Sequence, residues 1–266
     1  MRAKFTPRIR AILFRIVTVC AIATLFGSLR TTTKVDIATA ATAVQSRSVA
    51  ARTAETVHYQ DGNLELLAVY SVTDGQLEST ATPDYRRIWE LAEATLPAEA
   101  LAHIRQLNIV TDGPARTLAM VHRSTTEHDA WILSIDPAES HDVLERTLVH
   151  ELAHIYTLDE ADLTSQRTNC AGRLLEIGCA RAGSLLADYA DQFWAGLPEP
   201  APYSESAFVT QYSAESAHED LAETFMFWVY GDKAASSAIA AKYHWFDDQA
   251  TFVTLRDEIR AKLQLA

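Results

Sequence analysis

Alternating and extended hydrophobic patterns dominate the chain before residue 139, and helical spacing dominates after it. Residues 63–72 (NLELLAVYSV) predict a first strand, and residues 107–111 and 118–123 predict two short strands around Asp112-Gly113-Pro114. Residues 131–136 (WILSID) alternate large apolar with small or polar side chains, which predicts a half-buried strand. One helix interrupts this run at 84–96, where Ile88, Leu91, Ala92 and Leu96 share a face and Pro97 ends it. A second helix is expected from about 139 to 157, with Val143, Leu144, Leu148, Leu152 and Ile155 as its buried positions. Beyond it the pattern reads helical at 181–195, 216–230 and 247–264. Strands, then one long helix, then a helical half is an α+β order, with no internal repeats.

The N-terminus changes the picture of where such a domain works. Arg2, Lys4, Arg8, Arg10 and Arg15 precede an almost uncharged apolar run at 16–29. That run suits the apolar region of a signal peptide better than a bilayer span, which needs about 20 residues. Ala38-Thr39-Ala40 and Ala41-Thr42-Ala43 offer small-residue cleavage patterns, but Arg30 and Lys34 intervene, so an uncleaved signal anchor stays open. Either way the body is expected outside the cytoplasm, secreted or tethered, and membrane contact is expected only through that anchor. Cys20 lies in Val-Thr-Val-Cys, which lacks the small residues of a lipoprotein site. Residues 1–43 are therefore an export segment, the small, polar stretch 44–58 a linker, and 59–266 one domain.

Charge is distributed unevenly: the chain is −12 overall, yet residues 1–43 carry +6, leaving −18 on the remainder. So acidic a body argues against binding nucleic acid or an anionic membrane. Cys170 and Cys179 are its only cysteines, and an oxidising compartment favours a disulfide between them over two buried thiols. No Cys-x-x-Cys spacing makes them metal ligands.

The chemistry centres on His150-Glu151-Leu152-Ala153-His154, an H-E-x-x-H pattern. Histidines at i and i+4 share a helix face and can point at one metal ion. Glu151, one step around, can reach a metal-activated water as general base without being a ligand. A catalytic zinc needs a third protein ligand. The continuation with a glycine and a third histidine fails, because Thr157 and Glu160 occupy those places. Glu219-Asp220-Leu221-Ala222-Glu223 offers two carboxylates on one face of a later helix, one to bind metal and one to hydrogen-bond a ligating imidazole. A solvated acidic face is the plain alternative, but Leu221, Ala222, Phe225, Met226, Trp228 and Val229 leave that helix few exposed positions. His218 could rival Glu219, but neighbouring helical residues diverge by about 100°, so only one can face the metal, and Glu219 is expected to be that one. His141 is expected to be solvated, and Tyr203 is a weak rival to Tyr212.

Tyr212-x₆-Glu219-x-x-Ala222-Glu223-x-Phe225 after His-Glu-Leu-Ala-His resembles the gluzincin-type bacterial zinc-binding metallopeptidases and the catalytic domain of anthrax lethal factor. The similarity spans about residues 105–230 and takes in Asp112-Gly113, 131–136, Thr147-Leu148-Val149, Cys170, Cys179 and Phe193-Trp194. It implies a zincin-like α+β fold with a small N-terminal mixed sheet and an edge strand, an H-E-x-x-H helix and a helical C-terminal subdomain. The segment 131–136 is either that edge strand, against which substrates of such enzymes pair, or an ordinary core strand. The resemblance further implies one Zn²⁺ on His150, His154 and Glu219, with Glu223 supporting the site. Glu151 and Tyr212 would be catalytic, the substrate a peptide or protein, and the enzyme a monomer. An inactive binding or scaffold protein at the cell surface is the alternative, and a hydrolase of a non-peptide substrate a third reading.

Overall fold

A computed structural model describes residues 54–57, 59, 64–113 and 118–265. The export segment and most of the expected linker lie outside the described residues, as does Pro114 of the expected turn. Among the described residues no helix is long and apolar enough to cross a membrane.

The fold is α+β, built on a five-stranded mixed sheet and seven helices. Strand β1 (Glu65–Thr73) turns back into β2 (Gln76–Leu77) through Asp74 and Gly75, both at positive φ, as a two-residue hairpin turn demands. Helices α1 (Pro83–Thr95) and α2 (Ala98–His103) follow, the first capped by the Thr82 hydroxyl on the Tyr85 amide. Next come β3 (Ile104–Thr111), β4 (Ala119–Arg123) and β5 (Trp131–Ile135). The spatial order is β2-β1-β3-β5-β4; β5 runs parallel to β3, and all other pairs are antiparallel.

This order decides which strand is the edge. Segment 131–136 is a core strand between β3 and β4, with all five residues of β5 buried, and β4 is the edge. Leu118 and Ser124, flanking β4, bond to Asp136 and Ala130 on the β5 side. By alternation, the backbone polar groups of Ala119, Val121 and Arg123 face away from the sheet.

One sheet face joins the main core through Leu107, Ile109, Val121, Leu133 and Ile135, which cluster with Leu144, Leu148 and Leu152 of α3 (His141–Thr157). After α3 the chain is less helical than its pattern suggests. Three short strands, β6 (Leu163–Thr164), β7 (Arg173–Leu175) and β8 (Gly178–Ala180), make a second antiparallel sheet in the order β6-β8-β7. The Cys170–Cys179 disulfide ties the loop before β7 to β8. Helices α4 (Leu185–Phe193), α5 (Ala217–Val229), α6 (Ser237–Asp247) and α7 (Ala250–Leu263) complete the fold. The rings of Phe225, Phe246 and Phe252, all fully buried, meet at 5.0–5.7 Å between centroids and lock α5, α6 and α7 together.

The opposite sheet face is also buried and sets polar side chains among the apolar Val110, Met120 and Ile132. Gln106, Asn108 and Ser134 lie on it, Asn108 and Ser134 being register partners. A strap comprising Glu55, in the expected linker, and Tyr59, the first residue of the expected domain, satisfies them. Gln106 exchanges two hydrogen bonds with the Glu55 backbone (2.8 and 2.9 Å), and Asn108 donates to the Tyr59 hydroxyl at 2.8 Å. The same hydroxyl meets Ser134 Oγ at 3.0 Å. The Glu55 carboxylate accepts from Ser124 and Thr125 just beyond β4. Removing the Tyr59 hydroxyl strands two buried polar groups, so Tyr59→Phe should cost about 1–3 kcal/mol in urea unfolding at an unchanged m-value. An unshifted midpoint would mean that the strap does not close on the sheet in solution.

Candidate metal centre

Helix α3 carries His150 and His154 one turn apart, both fully buried. Their rings are edge-to-face, with Nε2 atoms 3.1 Å apart. Helix α5 faces them and is buried over almost its whole length. Its N-cap Ser216 accepts from the Glu219 amide, which starts the helix at the point where Glu219 meets α3. Glu219 Oε2 stands 3.1 Å from His150 Nε2 and 3.3 Å from His154 Nε2.

Three buried ligand atoms thus close a small triangle, and among the described residues this group can hold a metal ion. A tetrahedral ion with bonds of about 2.0–2.1 Å places its ligand atoms about 3.3 Å apart, close to the spacing here. Hydrogen bonding points the same way. His150 Nδ1 faces Glu223 Oε1 at 3.0 Å, and a carboxylate can only accept, so Nδ1 carries the proton. In the neutral ring Nε2 then presents a lone pair to the triangle. Glu223 is itself fixed by the Thr210 hydroxyl at 2.7 Å, completing a carboxylate–imidazole arrangement of the kind that orients metal ligands.

Electrostatics favour a cation. Burial pushes the Glu151 carboxyl up to about 8 and the His154 imidazole down to about 4. Burial opposes the charge on Glu219, yet His154 and His150 hold that carboxyl well below the usual range. For His150, burial is outweighed by Glu219 and Glu223, which raise it. A buried spot that holds an ionised carboxylate and draws a proton onto a fully buried imidazole is short of positive charge.

The neighbours of the triangle are now visible. Glu151 sends Oε2 to the backbone N–H of Val121 on edge strand β4 (3.0 Å), while its Oε1 makes no hydrogen bond. Tyr212 lies in a 3-10 turn (Tyr212–Ala214) just before α5, half-buried, its ring 5.9 Å from that of His150. Tyr203 is 41 % exposed, and it is Tyr212 that stands against a ring of the triangle. His141 is exposed in the first turn of α3, as expected.

The triangle leaves out His218, as expected, yet that ring is buried beside Glu219: its Nε2 is 3.4 Å from Glu219 Oε1 and its ring 5.7 Å from His154. The Ser216 hydroxyl, 2.8 Å from Nδ1, holds the ring back along the helix end, which simple helical angles do not anticipate. Asp220 is fully buried and meets Lys242 Nζ at 2.7 Å, Trp194 Nε1 at 2.9 Å and the Tyr189 hydroxyl at 3.1 Å. An isolated lysine in a helix gave no sign of this pairing.

No protein-family model, curated protein or solved structure matches the chain. The chelator-stripped protein should bind one divalent ion, with a stability gain of about 2.7 kcal/mol at a hundredfold excess over Kd. Glu219→Ala should abolish that thermal shift. Full retention of the ion by the variant would remove Glu219 from the ligand set.

Proposed function

We propose that the chain is an exported zinc metallopeptidase of the gluzincin type. The observation that supports this best is the convergence of His150 and His154 from α3 with Glu219 from α5, with Glu151 and Tyr212 at its margin. Histidine nitrogen with one carboxylate oxygen is a donor set suited to zinc. When bound, zinc would polarise a substrate carbonyl and bring the pKa of a water toward about 7.

Proton traffic falls to the chain's own groups. Glu151 is anchored through Oε2 by Val121, which leaves Oε1 to take a proton from the attacking water. A buried carboxylate with raised basicity is a better base than an exposed one, and the same oxygen then returns the proton to the leaving amine. Glu223 keeps His150 in one tautomer and orientation throughout. The Tyr212 hydroxyl donates to the oxyanion that forms as the carbonyl is attacked.

Export rests on the basic flank and apolar run at 2–29, and it is consistent with the paired cysteines of the body. An acidic body fits a peptide or protein substrate and no nucleic acid.

The zinc-loaded protein should cleave casein or a peptide library, stop with a chelator and resume with added zinc. Glu151→Gln should keep the ion and lose turnover. Tyr212→Phe should keep the ion and lower kcat by about a hundredfold, the cost of one oxyanion donor at about 3 kcal/mol. Fully zinc-loaded protein that cleaves no peptide would sink the peptidase reading and leave a scaffold or a different hydrolase.

A further inference from the structure

His218 is buried, polar and unused by the mechanism above, and its two ring nitrogens have different partners. Nε2 stands 3.4 Å from Glu219 Oε1, a charge contact outside hydrogen-bond geometry, and this buried Oε1 makes no hydrogen bond. Nδ1 stands 2.8 Å from Ser216 Oγ. Ser216 Oγ also accepts from the Glu219 amide at 3.3 Å.

Proton counting assigns the directions. A carboxylate oxygen only accepts, so Nε2 of a neutral ring carries the proton toward Glu219. Nδ1 is then an acceptor and takes the hydroxyl proton of Ser216. The result is a relay: Glu219 N–H donates to Ser216 Oγ, Ser216 O–H donates to His218 Nδ1, and the Nε2–H edge of His218 is thereby aimed at the unpaired Glu219 Oε1, 3.4 Å away. It begins at the backbone of Glu219 and ends facing its carboxylate.

We infer that His218, oriented by Ser216, is the positioning residue that holds Glu219 to one-oxygen contact with the metal. The inference rests on the metal reading of His150, His154 and Glu219. With Oε1 turned to the Nε2 edge of His218, Oε2 is the oxygen presented to the triangle, where it already stands at 3.1 and 3.3 Å from the two imidazoles. A carboxylate freed to chelate through both oxygens would fill the position that a catalytic metal keeps open for water. His218 itself is excluded as a ligand through Nε2, which bears the proton.

The test uses the full chain, and its readouts are metal affinity and ligand geometry. Zinc Kd is measured by competition with a chromophoric chelator, and coordination by visible absorption of the cobalt-loaded protein. His218→Ala should weaken zinc about 10–100-fold, the usual effect of losing a group that orients a ligand, and should change the cobalt spectrum. His218→Gln, whose amide nitrogen reaches where Nε2 does, should recover most of the affinity and the wild-type spectrum. A folded His218→Ala protein with unchanged Kd and unchanged spectrum would overturn the inference. Wild-type protein that binds neither metal would overturn the metal reading and this inference with it. Should His218→Ala not fold, long-range ¹H–¹⁵N spectra of the zinc-loaded wild type decide. They should show the Nε2–H tautomer at His218, and an Nδ1–H tautomer would overturn the assignment.

Discussion

The structure depends on burying two carboxylates, Glu219 and Glu223, between α3 and α5. An isolated carboxylate taken from water costs several kcal/mol, so neither can be tolerated without a fixed partner. His150 meets both of them, His154 meets Glu219, and Thr210 meets Glu223. Satisfying all four contacts leaves one rotation and one axial register for α5 against α3. Every other element of the C-terminal half is then placed relative to α5. Asp220, a step of about 100° around the helix, engages α4 and its end through Tyr189 and Trp194, and α6 through Lys242. Phe225 reaches Phe246 and Phe252 on α6 and α7.

The sheet enters the same arrangement through one backbone group. The Val121 N–H can reach Glu151 because β4 is an edge strand, with no partner strand on that side among the described residues. A central strand would use that amide in its ladder. Placement of the edge therefore determines what holds Glu151, and the strap contributes at a distance. Through Glu55 it grips Ser124 and Thr125 at the end of β4, and through Tyr59 it satisfies polar side chains of β3 and β5. Residues near 55, 121 and 151 thus form one mechanical chain ending at a carboxylate.

Much of this was legible because the relevant signals are local. Short apolar runs beside turn signals located β1, β3, β4 and β5, although the alternation of 131–136 suggested a half-buried strand and all of β5 is buried, and i, i+4 spacing found both histidines on α3 and both glutamates on α5. The apolar surroundings of Glu219 and Glu223 correctly implied that they are buried with partners. What was not legible is non-local or too short to show a period. Strands β6, β7 and β8 have two or three residues each and are fastened by a disulfide rather than marked by a pattern. Helix α6 buries Lys242 at a core position, which breaks the amphipathic signal that would have announced it. Strand order, which makes β4 and not 131–136 the edge, is a tertiary property with no trace in either strand's own residues. The direction of His218 depends on a hydroxyl two residues away and not on helical angle.

Glu219 and Asp220 show how similar burial yields different roles. Both are carboxylates on the first turn of α5, and both are buried. Asp220 is surrounded by donors: an ammonium, an indole N–H, a phenol and the Thr224 hydroxyl. Burial raises its pKa against the pull of Lys242, and these fixed donors make it a fastener between helices. Glu219 instead faces two imidazole nitrogens. Glu219 and Glu223 raise the His150 pKa against burial, so in the metal-free site that ring can donate to both carboxylates, and a cation would take the place of the proton between Nε2 and Oε2. Adjacent acids can therefore be told apart by their partners: fixed donors surround Asp220, whereas Glu219 faces two imidazoles that can turn their nitrogens to a metal ion.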